Sequence, residues 1–240
     1  MKVKVGNCGW SYLDAEKYFD DWKSKFKHKL QAYAKLFNVV EINSTFYRIP
    51  KLETAEKWKK LADEINPDFE FTIKCSQIIT HKDKFGNRSV QVFNKMKEIA
   101  RALRSKILLF QSPSSFKPNE ENIERVKKFF MKIDKDDFIL VWEVRWKDKW
   151  KEDIVRKLLK DIEVNQCVDP LRQDCFYARD VVYYRLHGLG YPMYNYNFSE
   201  EELKSVVRKL DSKLPVYVMF NNSNCYENAL TLKNRIRSSV

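Results

Sequence analysis

A chain of 240 residues that is 44% hydrophobic and 14% aromatic, with five glycines and seven prolines, can bury a large core, which argues against disorder. The formal charge of +12 admits nucleic acid as a partner, but the lysines fall in segments such as EKWKKLADE and EELKSVVRKLDSK, mixed with acids as on solvated helix faces. No run of about 18 apolar residues occurs and the opening MKVKVGNCGW is too polar for a signal segment, so a cytoplasmic protein with no membrane partner is expected.

In chain order, the first predicted strand is VKVGN from Val3. A helical pattern from His28 to Phe37 leads to VVEIN from Val39, where β-branched residues enclose a carboxylate, Glu41, and run into the polar string Asn43, Ser44, Thr45, Tyr47 and Arg48. Helix 53–65 precedes FEFTIK from Phe69, helix 90–103 precedes KILLFQ from Lys106, and helix 120–131 precedes FILVWEVRW from Phe138. Helix 150–161 leads to EVNQCV from Glu163. The connection from Asp169 to Asp180 is then too short for a regular helix. VVYYRLHG from Val181, a helix over 199–210, VYVMFNN from Val216 and a last helix over 222–236 complete the pattern. Eight strands alternating with helices predict an α/β fold: a single (β/α)8 TIM barrel, one domain over residues 1–240, with a degenerate unit after the sixth strand.

Side chains two apart on a strand share a face. In the seventh strand Tyr183, Arg185 and His187 therefore point one way, while Val182, Tyr184 and Leu186 point the other. The same split pairs Glu41 with Asn43, Thr72 with Lys74, Leu109 with Gln111, and Glu143 with Arg145. Apolar faces must meet the surrounding helices, so the polar sets are expected inside the barrel at its C-terminal end, where such folds carry their sites. Glu41, Lys74, Glu143, Arg145, Arg185 and His187 should converge there with Asn43, Gln111 and Asn221. The bland alternative is a self-satisfied salt-bridge plug. Three cations against two carboxylates leave an excess positive charge, which favours an anionic ligand.

Seven motifs in fixed order carry a family resemblance: GNCGWSY (6–12), VEINSTFYR (40–48), FTIKCSQIITH (71–81), LLFQSPSSF (108–116), WEVRWKDKW (142–150), YYRLHG (183–188) and VMFNNSNCYENAL (218–230). Together they resemble the domain of unknown function family 72, the YecE-like proteins. That resemblance implies a TIM barrel and brings no settled activity. Two departures stand out: Cys8 replaces the usual Ser of the first motif, and Trp146 follows Arg145 where a His is common.

The chemistry expected is metal-independent acid/base catalysis on a small anionic substrate, phosphorylated or carboxylated. Glu41, Glu143, Lys74 and His187 are the catalytic candidates. Arg145, Arg185, Asn43, Gln111 and Asn221, with Trp10, Tyr47, Arg48 and His81 from the loops, are the substrate-binding candidates. Three histidines underfurnish a multinuclear metal cluster, so no cofactor is expected. A single divalent ion on Glu41, Glu143, Asp169 or His187 is the alternative. Glycoside hydrolysis also uses paired carboxylates, but the cationic ring disfavours a neutral sugar. Neither a Walker nor a dinucleotide-binding motif occurs. The competing class is a nucleic-acid-binding or phosphodiester-processing barrel, with Trp10, Tyr12, Phe46, Tyr47, Tyr191, Tyr194 and Tyr196 about the mouth and GYPMYNYNF as a lid. Five cysteines without a CxxC pair read as free thiols, Cys8 and Cys75 being those nearest the site.

Overall fold

The computed structural model describes residues 2–145 and 150–238; Trp146 lies outside them. Eight parallel strands close in sequential order into a barrel: β1 (Val3–Asn7), β2 (Val39–Ile42), β3 (Glu70–Lys74), β4 (Ile107–Gln111), β5 (Ile139–Glu143), β6 (Asn165–Val168), β7 (Val182–Leu186) and β8 (Val216–Phe220). Around them lie α1 (Trp22–Lys25), α2 (Lys29–Leu36), α3 (Ser44–Tyr47), α4 (Leu52–Asp63), α5 (Asn87–Ala102), α6 (Glu120–Lys132), α7 (Glu152–Ile162), α8 (Glu200–Arg208) and α9 (Cys225–Ser238). No helix forms between β6 and β7, so that unit is degenerate as the short connection requires. Among the described residues no helix is long and apolar enough to cross a membrane.

Strand parity divides the core as expected. Val40, Ile42, Phe71, Ile73, Leu108, Phe110, Trp142, Leu186 and Phe220 pack outward against the helices, while Val39, Ile107, Leu109, Val141, Tyr183 and Met219 fill the barrel itself. The seam between β1 and β2 is close. A Cβ on Gly6 would lie 2.2 Å from the Val39 carbonyl oxygen, so no larger residue fits without moving the strand.

The polar string after β2 does not stay extended. It turns into α3, burying Thr45 and Phe46 and leaving Tyr47 and Arg48 in solvent. The Thr45 hydroxyl lies 2.7 Å from the Lys74 carbonyl oxygen and 2.8 Å from that of Ile42, which ties this turn to the end of β3. Trp10 was expected at the mouth, but it is buried edge-on against Trp58 of α4, with ring centroids 5.2 Å apart. A large indole gains more from a helix face than from solvent, so this residue packs a loop down.

Candidate active site

At the centre of the C-terminal end, β7 delivers Arg185 between two carboxylates. Its Nη2 donates to Glu41 Oε1 at 2.9 Å and its Nη1 donates to Glu143 Oε2, and the whole side chain is sealed, 0% exposed. Glu41 is equally enclosed. It accepts from the Tyr183 hydroxyl at 3.0 Å and from the Cys8 thiol at 3.1 Å. Tyr183 spends its only proton on Glu41, so the Thr72 hydroxyl, 2.7 Å away, donates to Tyr183. Burial, with the Glu41 charge added to it, pushes the Cys8 thiol well up, which makes it an inert spacer; burial alone does the same to Cys75.

Glu143 is the junction between this sealed layer and the open site. Its Oε1 accepts from Arg145 Nε at 3.0 Å and from His187 Nε2 at 3.1 Å. Burial alone would raise its carboxyl, but the charges of Arg185 and Arg145 and the hydrogen bond from His187 outweigh that and hold it well below the usual carboxylate range. Asn221 donates its amide to His187 Nδ1 at 3.2 Å, which leaves the ring proton on Nε2, facing Glu143. Burial lowers the His187 pKa, against the pull of Glu143, so this is a neutral imidazole.

A cleft of about 450 Å³ opens over the ends of β5, β6 and β7, walled by Glu143, Arg145, Asp169, Arg172, His187 and Met193. Burial raises the Asp169 carboxyl, although it accepts from the backbone N–H groups of His187 and Leu171, both at 3.1 Å. Arg172 Nε lies 3.8 Å from Asp169, and its Nη2 donates to the Gly188 carbonyl. Gly188 has φ +104°, and a Cβ there would meet the Met193 carbonyl oxygen at 2.3 Å. Only glycine lets the loop after β7 fold back this closely. That loop brings Tyr194 edge-on to His187 and within 3.1 Å of Arg145 Nη2, while Tyr191 is wholly exposed.

Lys74, at the end of β3, is the odd cation. It is 9% exposed, its Nζ sits 4.1 Å above the Phe46 ring, and among the described residues no carboxylate lies within ion-pair distance of it. Burial first, then repulsion from Arg185, lowers its pKa to about 8, with Glu143 and Glu41 opposing only in part. His81 packs edge-on to Phe46, ring centroids 5.0 Å apart, and burial with the nearby charges of Lys74 and Arg145 pushes it down to about 4.

Glu41, Lys74, Glu143, Arg145, Arg185, His187 and Asn221 thus come together as strand parity predicts. Gln111 is buried beside Glu143 in register, its amide spent on the Ser112 carbonyl at 2.7 Å, and Asn43 donates to the Cys8 carbonyl at 3.3 Å. Two assigned roles do not survive the geometry. Arg185, read as an anion contact, is consumed by two carboxylates and presents nothing to a ligand. Glu41, read as half of an acid/base pair, has no open side. Asp169 and Arg172 were not among the catalytic or substrate-binding candidates. Parity on the sixth strand carried the signal for Asp169, since it lies two residues beyond the inward Cys167. Among the described residues no three His, Cys, Asp or Glu side chains are grouped to hold a metal ion.

The family description "Protein of unknown function DUF72" matches residues 4–240. The chain belongs to the DUF72 family. This DUF72 chain is similar to UPF0759 protein YunF of Bacillus subtilis (strain 168), 30% identical over 129 residues that span 50% of this chain and 43% of that relative's length. A DUF72 family protein from Thermotoga maritima MSB8 superposes with a TM-score of 0.73 at 26% identity, covering 99% of this chain and 100% of the other. One from Enterococcus faecalis V583 gives 0.71 at 19% identity, covering 98% and 95%, a likeness of fold alone.

Proposed function

We propose that this DUF72 protein is a metal-independent enzyme that transfers protons on a small anionic substrate at the C-terminal mouth of the barrel. The observation that carries the reading is Lys74, a buried cation with no carboxylate partner among the described residues, beside a cluster in which Glu41 and Glu143 neutralise only two of three cations. One positive charge is left for a ligand to balance. Arg145 and Arg172 wall the cleft with side chains 20% and 35% exposed, and are the contacts for the substrate's acidic group. Lys74, with a pKa of about 8, exchanges its proton near ambient pH and is the group for proton transfer. Glu143 stays ionised and orients Arg145 and His187, while Glu41 and Arg185 hold the floor. A cleft of about 450 Å³ suits a metabolite. The nucleic-acid alternative is weakened, because Trp10 and Phe46 of its aromatic rim are packed inward.

Calorimetry with inorganic phosphate, sulfate and short carboxylates tests the reading. Anion binding favours the protonated amine, so affinity should fall as pH rises through about 8, and Arg145→Ala should weaken it at every pH. Absence of binding for all these anions at pH 7, or affinity indifferent to Lys74→Met, would refute it.

A further inference from the structure

We infer that Lys74 is a nucleophile whose amine condenses with the carbonyl carbon of a small anionic aldehyde or ketone, forming an imine while Arg145 holds the substrate's acidic group. This rests on the function proposed above and names its substrate class. An amine attacks only with its lone pair free, and a carboxylate at hydrogen-bond distance would keep it an ammonium. Lys74 has no such partner among the described residues. Beneath it lies the face of Phe46, which offers no acceptor, and the nearby Arg185 charge further disfavours protonation. The amine is also reachable: the residue keeps 9% of its surface, and Nζ is not among the sealed side-chain atoms lacking a partner. It projects from the end of a strand on the face where such barrels bind ligands.

The step balances without a cofactor. The Nζ lone pair adds to the carbonyl carbon and the C=O π pair moves to oxygen, which takes a proton. The nitrogen then gives up a proton and the hydroxyl leaves as water, so amine plus carbonyl yields imine plus one water. Protonated, the imine draws electrons from the adjacent C–H bond. That makes the α-proton acidic enough to exchange with solvent water.

The test is reductive trapping of the full chain at pH 8 with sodium cyanoborohydride and, separately, pyruvate, glyoxylate and acetone, followed by peptide mass spectrometry. At that pH a lysine with pKa about 8 has a neutral fraction about a hundredfold above that of an ordinary lysine. The expected result is labelling of Lys74 by pyruvate and glyoxylate about tenfold faster than of any exposed lysine, allowing for its weaker basicity, with acetone showing no such preference. Lys74→Arg should keep the charge, bind phosphate and give no adduct at position 74 of the folded variant, its fold checked by melting. If neither oxo acid marks Lys74 ahead of exposed lysines while Lys74→Met still weakens phosphate binding, the imine is overturned and the proton-transfer reading stands. If acetone marks Lys74 as fast as pyruvate does, the nucleophile stands and the anionic substrate falls.

Discussion

Two lysines in this barrel are almost equally buried and meet opposite fates. Lys97 on α5, 6% exposed, donates to the Asp134 carbonyl at 2.6 Å, to Asp136 Oδ2 at 3.0 Å and to Asp134 Oδ2 at 3.3 Å. Lys74, at the mouth of the barrel, has the ring of Phe46 and, among the described residues, no carboxylate. Burying a charge is costly, and the usual remedy is a partner. Lys97 takes the remedy on the outside of the fold, where a cation need only hold a loop. Burial by itself therefore marks nothing. A buried cation that the described residues leave without a carboxylate, at the end where such barrels bind ligands, is what the proposed site rests on.

The largest test of that contrast is Arg185, a sealed cation held between two carboxylates. Arg185→Met strands two buried carboxylates and should cost about 4 kcal/mol in urea unfolding. Loss of under 1 kcal/mol would mean that partnering does not decide the fate of a buried charge here.

Glu143→Gln should cost about 3 kcal/mol, because it leaves Arg185 and Arg145 short of a buried counter-charge. Its folded pKa lies below the unfolded 4.5, so its contribution is complete above the ordinary carboxylate range and is lost as pH falls toward the depressed value. The variant's stability should accordingly depend less on pH on the acid side. An unchanged acid limb would argue against an ionised Glu143.

Lys97→Met should cost about 2 kcal/mol, less than Arg185→Met because Asp134 remains 77% exposed and can rehydrate.

The smallest change and the opposite sign are expected for Lys74→Met, a gain of about 1 kcal/mol at pH 7. Lys74 falls from 10.5 unfolded to about 8 folded, so between those values the unfolded chain holds more protons. Wild-type stability should then rise with pH relative to the variant, and the difference should close by about pH 10.5. A variant less stable than wild type at pH 7 would make Lys74 a structural counter-ion.

Alternation of apolar and polar residues made the barrel, its closed order and the inward faces legible, because a period of two is written into every strand. It also placed Glu41, Lys74, Glu143 and His187 at one end. What it could not carry was depth and partnership. Arg185 and Glu41 lie 144 positions apart, and nothing local to either says that they meet and cancel. Trp10 misled because an aromatic residue in a loop after a strand looks the same whether it faces a ligand or a helix. Asp169 follows the same parity but lies just past the sixth strand, where the chain is irregular and side-chain direction is no longer set by a period of two.

The sealed cluster also bears on the order of events in folding. Its contacts join Glu41 to Tyr183 and Arg185 across 142 and 144 positions, so they form only when the last strands close the ring. Interactions made after the rate-limiting step leave refolding speed alone and hold the door shut afterwards. In stopped-flow experiments the cost of Arg185→Met should therefore appear almost wholly in the unfolding arm. The cluster would then act as a clasp governing how long the barrel survives between openings.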